Sequence, residues 1–214
     1  ILLEVAYQAM ESSGCLRNHR REAGDPVGCF IGASFAEYLD NTCSNPPTSY
    51  TSTGTIRAFH CGRLSYYFGW SGPAEVIDTA CSSSLVAINR ACKSVQAGEC
   101  TMALTGGVNI ITGIHNFLDL AKAGFLSPTG QCRPFDQSAD GYCRSEGAGL
   151  VVLKLLSQAI ADGDQIFGVI PSVSTNQGGL SSSITIPHSP AQKKLYQTVL
   201  RQAGMKLEQV SYVE

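Results

Sequence analysis

One cysteine of this 214-residue chain stands where the local pattern could turn its thiol into a nucleophile. The β-branched pair Val76-Ile77, opened by Gly72-Pro73, predicts a short buried strand. From Leu85 onward, apolar residues recur at helical spacing. Cys81 lies between the two, with neither glycine nor proline beside it to form a loop. The sequence therefore predicts a direct passage from strand to helix with a thiol at the junction.

A helix N-terminus would favour nucleophilic chemistry at this thiol in two ways. Its unpaired N–H groups and positive dipole end stabilise a thiolate, which is the nucleophilic form of a cysteine side chain. The same N–H groups could hold an oxyanion that develops on a bound carbonyl. Ser82–Ser84 are small enough to let a substrate approach. The alternative is that Cys81 is one of nine buried thiols and that Ser82–Ser84 only cap a helix.

The histidines offer less chemistry. His19, His60, His115 and His188 are scattered and share no metal-ligand spacing, so the sequence predicts no metal site. His60 falls in a predicted helix, where a packed or capping role is expected. His188 lies between two prolines in a loop and could reach a pocket.

Three carboxylates, Asp136, Asp140 and Glu146, fall in a long irregular segment. We expect them to brace the loop backbone and to pair with Arg133 or Arg144. No G-x-S-x-G motif is present, which argues against an α/β-hydrolase.

Composition excludes several classes of protein. Charged residues make up 15% of the chain, the hydrophobic fraction is 43% and the formal net charge is −2, so neither nucleic acid nor an anionic membrane is an expected partner. No apolar run reaches the roughly 18 residues that a membrane span needs. The 9 cysteines are odd in number and contain no C-x-x-C pair. They favour a reduced, cytoplasmic protein over a disulfide scaffold or a zinc site.

Strands alternate with helices along the chain, which predicts an α/β fold with largely parallel strands. Besides the helix that begins at Leu85 and ends at Gly98, the predicted helices cover residues 1–12, 55–68, 113–125, 157–162 and 191–203. Besides Val76-Ile77, the predicted strands cover residues 27–32, 101–108, 150–155, 166–173 and 210–214. Residues 33–52 are predicted to be a polar surface excursion, and Gly106-Gly107 to permit close backbone packing.

Several motifs resemble those of a known family. Asp78–Leu85 reads DTACSSSL and resembles the active-site motif of β-ketoacyl synthase domains in type I polyketide synthases. Further motifs of that family follow in order: GGVN at 106–109, FLSPTG at 125–130, PFD at 134–136 and ADGYCRSEG at 139–147. The chain is most similar to fungal iterative synthases, and SITIPH at 183–188 favours the non-reducing group. Ser145 stands where the family has glycine.

The resemblance implies a thiolase-like fold, in which two βαβαβ halves stack as five layers. Residues 1–163 would form most of the N-terminal half, and residues 164–214 the beginning of the C-terminal half. The chain opens without Met inside a helical pattern and stops in a predicted strand, so we expect a piece of a longer protein. The family's two catalytic histidines would follow that strand, and the piece alone is expected to condense nothing.

The resemblance also implies a reaction and its residues. Cys81 would accept an acyl chain from the phosphopantetheine arm of an acyl carrier protein, and a decarboxylated malonyl unit would attack the thioester. No cofactor would be bound directly. Thr79, Ala80 and Ser82 would support the substrate pocket. Thr53 would line the pocket of the partner in a homodimer that forms beside the nucleophile strand. Glu146 matches a carboxylate that pairs with a lysine outside this sequence.

Three other functions stay open beside the condensing enzyme. A non-catalytic assembly partner of the same fold would be expected to lack the nucleophile, so Cys81 argues against it. A cysteine-dependent thioester hydrolase would need a histidine within reach of Cys81, and His188 is the candidate. A pure binding module would dock a carrier protein without forming an acyl adduct. A condensing enzyme is the favoured hypothesis.

Overall fold

The computed structural model describes residues 1–18, 24–35 and 37–214, and His19 lies outside them. Four strands form one sheet in the order β2-β1-β3-β4: β1 Val27–Gly32, β2 Ala74–Ile77, β3 Met102–Asn109 and β4 Gly147–Lys154. Strand β1 is parallel to both β2 and β3, whereas β4 runs antiparallel to β3. The prediction of largely parallel strands is confirmed for β1, β2 and β3 and is wrong for β4.

Helices precede, connect and follow these strands. In chain order they are α1 Leu2–Ser12, α2 Cys15–Asn18, α3 Glu37–Thr42, α4 Thr51–Thr55, α5 Phe59–Phe68, α6 Ser83–Gln96, α7 His115–Lys122, α8 Leu156–Ala161 and α9 Ser189–Ala203. A 3-10 turn, Leu207–Gln209, follows them.

The central strand β1 is buried at every position because helices cover both faces of the sheet. Cys29 and Ile31 face one side, where they share a core with residues of α1 and α5. Phe30 points to the other side and packs with Ala87 and Ala91 of α6. Alternation along a strand thus produces two cores, one on each face.

The elements around the candidate nucleophile agree with the sequence prediction. Strand β1 has the predicted bounds, and β2 ends at Ile77 as expected. Helix α6 begins two residues before Leu85 and ends where Gly98 takes a left-handed φ of 74°. Helices α1 and α9 and strand β3 lie within two residues of their predicted bounds.

Two predicted helices differ from the structure. The helix expected over 55–68 is split into α4 and α5, because Ile56 is extended, with a ψ of 124°, and interrupts the helical path. The helix expected over 113–125 is shortened to α7. The amide of Gly113 donates to the carboxylate of Glu37 instead of joining a helix.

The strands predicted over 166–173 and 210–214 are wrong for the part of the chain that the structure describes. Both segments have the apolar, β-branched composition of strands, but a strand also needs a neighbour with which to exchange hydrogen bonds. None of the four strands pairs with them. Phe167 and Val213 accordingly stay 77% and 82% exposed.

Candidate active site

Four segments meet at one edge of the sheet. The carboxyl ends of the parallel strands β1, β2 and β3 lie together there, and the antiparallel β4 begins at the same edge. Ser34 follows β1, Cys81 follows β2, Ile111 follows β3 and Glu146 precedes β4. Open α/β sheets bind ligands at this end of their strands. The topology therefore collects the candidate residues from distant parts of the chain.

Cys81 lies exposed in the turn between β2 and α6. The residue before it, Ala80, has a φ of 56°, a left-handed conformation that alanine rarely adopts. The residue after it, Ser82, is the N-cap residue of α6. Cys81 thus sits at the N-terminal end of a 14-residue helix, as the sequence predicts, and the suggestion that it is a buried thiol is wrong.

Serine hydroxyls hold this turn together. Ser83 Oγ donates to the carbonyl oxygen of Ala80 at 2.6 Å and accepts the N–H of Thr79 at 2.9 Å. Ser82 Oγ donates to the carbonyl oxygen of Thr79 at 2.9 Å and makes no capping hydrogen bond to the helix. The hydroxyls of Thr79 and Ser82 are also 2.9 Å apart. Ser82 and Ser83 therefore brace the turn, and the simple helix-cap interpretation is wrong for them.

Three further residues, Ser34, Arg57 and Asp78, support the turn in roles that sequence reasoning missed. Ser34 Oγ donates to the carbonyl oxygen of Ala80 at 3.1 Å and lies 3.2 Å from Ser83 Oγ. Arg57 donates to the carbonyl oxygen of Ser34 at 2.7 Å and forms an ion pair with Asp78. Asp78 accepts the N–H of Ala80 at 3.2 Å. That hydrogen bond and Arg57 lower the pKa of the Asp78 carboxyl.

Two glycines let the start of α6 approach the sheet closely. A Cβ atom on Gly32 would collide with the backbone of Ser83 and Ser84, and one on Gly107 would lie 2.8 Å from the Cβ of Ser84. Gly106, with a φ of 150°, leaves no room for a side chain beside the carbonyl oxygen of Gly149. The prediction that Gly106-Gly107 permit close backbone packing is confirmed.

A buried ion pair lies beside this edge. The side chains of Glu37 and Arg144 are each 3% exposed, and Arg144 Nη2 lies 3.0 Å from Glu37 Oε1. The Arg144 guanidinium lies over the rings of Phe35 and Phe117, 5.1 and 4.7 Å from their centroids. Arg144 therefore pairs with Glu37 of the polar excursion, and the expected pairing with a loop carboxylate is wrong for it.

The Glu37 carboxylate is saturated with hydrogen-bond donors. Oε2 accepts the N–H groups of Thr112 and Gly113 at 2.8 and 3.0 Å, and Oε1 accepts the side-chain amide of Asn116 at 2.8 Å. Burial raises the pKa of Glu37, but the bonds from Asn116, Thr112, Gly113 and Arg144 outweigh it and lower the pKa to about 2. An isolated glutamate in a polar stretch gave no sequence signal for this role.

The loop carboxylates brace backbone, as predicted. Glu146 accepts the N–H of Ile111 at 2.7 Å. Asp136 accepts the N–H of Ser138 at 2.7 Å, and Asp140 pairs with Arg133 at 3.2 Å. Bonds to Ser138 lower the pKa of Asp136, and those from Ser127 and Arg133 lower the pKa of Asp140.

Thr53 lies on α4, exposed, and donates to the carbonyl oxygen of Tyr50 at 3.1 Å. Its own carbonyl oxygen accepts a bond from Arg63 at 2.8 Å. No hydrogen bond joins Thr53 to the Cys81 turn among the described residues. Its predicted place in a partner's pocket stays a prediction.

The histidines stand apart from the thiol. Among the described residues, no hydrogen bond joins His60, His115 or His188 to Cys81. His60 lies half-buried on α5, where burial and the charges of Arg57 and Arg63 lower its pKa. His188 precedes α9 and lines a cavity of about 410 Å³ with residues 174–178 and the first turns of α9. Cys81 does not line that cavity, so the structure gives the hydrolase alternative no support.

Other features of the described ranges add little chemistry. All 9 cysteines are free, and Cys15, Cys29, Cys61 and Cys100 are buried. No group of three histidine, cysteine or acidic side chains could hold a metal ion in the part of the chain that the structure describes. The helices there include none with the length and apolar content that a membrane span requires.

Family models match nearly the whole chain. The β-ketoacyl synthase N-terminal domain matches residues 1–159, and the β-ketoacyl synthase C-terminal domain matches residues 167–214. The N-terminal match includes the turn that carries the exposed Cys81. The chain belongs to the β-ketoacyl synthase family.

The relatives of the chain indicate which type of synthase it resembles. The chain is 77% identical over 214 residues to the non-reducing polyketide synthase atr1 of Stereocaulon alpinum and 71% identical to the non-reducing polyketide synthase Preu6 of Preussia isomera. Each alignment covers 100% of this chain, but only 9% and 10% of the two relatives. The chain thus spans about a tenth of the length of these curated relatives. The predicted resemblance to fungal, non-reducing polyketide synthases is confirmed.

Solved ketosynthases share the fold. The ketosynthase from module 6 of the bacillaene synthase of Bacillus subtilis 168 matches 100% of this chain, with a TM-score of 0.88 and 36% identity, over 36% of its own length. The oxazolomycin ketosynthase domain OzmH KS7 of Streptomyces albus matches 95%, with a TM-score of 0.83 and 34% identity, over 35% of its own length. The prediction of a thiolase-like α/β fold is confirmed.

Proposed function

We propose that this chain is ketosynthase sequence of a larger polyketide synthase and that Cys81 carries the growing acyl chain. In the first step, Cys81 Sγ attacks the acyl carbonyl carbon of a carrier-bound thioester. A new C–S bond forms, the bond to the carrier sulfur breaks, and the carrier thiol leaves with the proton that Cys81 gives up. The observation that carries this proposal is the exposed Cys81 between β2 and α6, held by the left-handed turn at Ala80.

The second step would join two carbon units. A malonyl thioester loses carbon dioxide, and the electron pair left on its α-carbon attacks the acyl carbon held on Cys81. The C–C bond forms, the C–Sγ bond breaks, and the Cys81 thiolate takes up a proton from solvent water. The N–H of Cys81 would stabilise the oxyanion in both steps. The two histidines that the family resemblance implies for this step are not assigned to residues of this chain.

The substrates would be acyl and malonyl thioesters on the phosphopantetheine arm of an acyl carrier protein, and no cofactor would be bound by the chain itself. The names of its polyketide synthase relatives support these substrates. Thr79, Ala80 and Ser82 would shape the pocket beside the thiol, which their hydrogen bonds around the turn support. Glu146 would hold the segment after β3 in place, as its bond to Ile111 supports.

The larger organisation is part of the same proposal. Residues 1–163 would belong to the N-terminal half and residues 164–214 to the C-terminal half, which the separate matches over 1–159 and 167–214 support. The protein would act as a homodimer in which Thr53 faces the partner's pocket. A cytoplasmic location is supported by the odd number of cysteines and the lack of a C-x-x-C pair.

Intact-mass spectrometry tests the covalent step. The complete polypeptide that contains this chain is incubated with an acyl thioester, beside its Cys81→Ala variant and a Cys132→Ala variant that removes another exposed thiol. One acyl adduct on the parent and on Cys132→Ala, but not on Cys81→Ala, is the expected result. A folded parent without an adduct would overturn the proposal and favour a carrier-binding module.

A further inference from the structure

The Glu37–Arg144 ion pair lies at the start of a continuous chain of contacts that reaches the nucleophile turn. The segment after β1 includes Ser34, Phe35 and Glu37. Arg144 contacts this segment at two points: it pairs with Glu37, and its guanidinium lies over the ring of Phe35. Ser34 directly precedes Phe35, and its hydroxyl contacts the carbonyl oxygen of Ala80. Ala80 in turn directly precedes Cys81. Three short links thus connect a buried charge pair to an exposed thiol.

The hydrogen bond from Ser34 to Ala80 is sensitive to displacement because the backbone of Ala80 is left-handed. A left-handed alanine costs free energy, so it persists only where neighbouring groups hold it. The carbonyl oxygen of Ala80 accepts bonds from Ser34 and Ser83, and these fix the orientation of the peptide that leads into Cys81. A shift of the segment after β1 would weaken the first of them.

Burial makes the ion pair a rigid anchor for that segment. Both side chains are almost fully excluded from solvent, and the Arg144 guanidinium also lies over the rings of Phe35 and Phe117. Glu37 also ties the segment to the backbone that follows β3 through Thr112 and Gly113. A charge pair of this kind is costly to move because either partner alone would be left buried and uncompensated.

We infer that Glu37 and Arg144 are positioning residues for Cys81: they hold Ser34 against the carbonyl oxygen of Ala80 and so keep the turn in the conformation that presents the thiol. The inference rests on the proposed function, since it concerns the same nucleophile. It assigns neither residue a contact with substrate.

The test measures the acylation rate of Cys81 in the complete polypeptide against the concentration of acetyl-N-acetylcysteamine thioester. Arg144→Lys keeps the charge but loses the planar guanidinium that pairs with Glu37 and lies over the two rings. We expect it to lower the maximal rate about fivefold, which corresponds to one weakened hydrogen bond. The half-saturating concentration should not change, because neither residue touches the thioester. Ser34→Ala should have the same effect.

The double variant tells a positioning role from a merely structural one. If Arg144 acts through Ser34, Arg144→Lys should cause little further loss in the Ser34→Ala background. The matched control is Arg133→Lys, in the same loop, whose pair with Asp140 touches no residue of the segment after β1. An Arg144→Lys variant that acylates at the parent's rate, or losses that multiply in the double variant, would overturn the inference.

Two further measurements keep the outcome clear. Ser34→Ala leaves the ion pair intact, so it tests the last link even if Arg144→Lys fails to fold. Alkylation of Cys81 by iodoacetamide, followed by peptide mass mapping, reports thiol presentation in the same variants without a thioester. If the parent forms no acyl adduct, the proposed function fails. A fivefold loss of alkylation rate in Arg144→Lys and Ser34→Ala would still support the positioning role, and unchanged rates would refute it.

Discussion

Single residues at the sheet edge carry unusual conformations and charges. Ala80 takes the left-handed conformation directly before Cys81, and Ser34 and Ser83 hold its carbonyl oxygen. Glu37 stays ionised in a buried site because four donors surround its carboxylate. Both features concern one side chain or one peptide, so single substitutions test them.

Substitution of Ala80 should report the strain of its backbone. Ala80→Val should lower the free energy of unfolding by about 1–2 kcal/mol, because a β-branched residue is disfavoured at positive φ. Ala80→Gly should change it by less than about 0.5 kcal/mol, since relief of strain offsets the entropy of glycine in the unfolded chain. Urea unfolding measures both. Equal stability of the Val and Gly variants would contradict the prediction.

Glu37 should make stability depend on pH in the acid range. Its pKa falls from the usual 4.5 to about 2 on folding, so the stabilisation of about 3 kcal/mol is present above pH 4.5 and is lost as the pH falls toward 2. The difference in free energy of unfolding between the parent and Glu37→Gln should therefore shrink by about 2 kcal/mol between pH 7 and pH 3. Exposed Glu11→Gln on α1 is the control. A difference that stays constant over this range would count against the assignment.

At the scale of elements, the placement of α6 decides where Cys81 lies. The helix starts directly over the ends of β1 and β3, and only glycine at positions 32 and 107 leaves room for its first turn. A strand–helix junction would form without these glycines, but the helix would stand farther from the sheet. The position of the thiol thus depends on residues in two other strands.

Gly32→Ala should therefore displace α6. The added Cβ meets backbone atoms of Ser83 and Ser84, which cannot rotate away, so we expect a loss of about 1–3 kcal/mol in the free energy of unfolding. Acylation of Cys81 should fall at least about tenfold. Gly147→Ala, in β4 of the same sheet, is the matched control because a Cβ there meets nothing within 4 Å. Equal behaviour of the two variants in urea unfolding and acylation would refute this account.

At the scale of the whole molecule, the sheet edge at β2 is the feature that the proposed homodimer would use. Strand β2 pairs only with β1 among the described strands. The carbonyl oxygen of Pro73 accepts the N–H of Cys29 in β1. The N–H of Ala74 belongs to the same peptide group and therefore points away from β1. An unpaired edge of this kind can join the equivalent strand of a second copy.

Ala74→Pro should weaken such a dimer without unfolding the chain. Proline removes the outward N–H and is tolerated at the first residue of an edge strand. Sedimentation velocity of the complete polypeptide should then show a dimer for the parent and a larger fraction of monomer for the variant. The circular dichroism spectra of the parent and the variant should be the same, because the variant stays folded. A variant that stays fully dimeric would place the interface elsewhere or exclude pairing through this edge.

Local sequence patterns predicted the elements around Cys81, and the motifs indicated the family. Strand β1 is predicted from its continuous apolar run, because a strand buried on both faces has apolar residues at every position. Helix α6 is predicted from the helical spacing of its apolar residues, because one face of a helix is buried. Segments 166–173 and 210–214 show the limit of such reasoning. Their composition suits a strand, but strand formation depends on a neighbouring backbone that local sequence does not specify.

Tertiary structure alone decided which distant residues meet. The sequence and its family resemblance marked Thr53 and also Cys81, Thr79, Ala80, Ser82 and Glu146, which lie in recognisable motifs. Ser34, Arg57, Asp78 and the Glu37–Arg144 pair gained their roles only when three parallel strands and the antiparallel β4 met at one edge. The physical reason is that a spacing pattern reports which face of an element is buried, whereas a hydrogen bond between residues 34 and 80 depends on the register between strands.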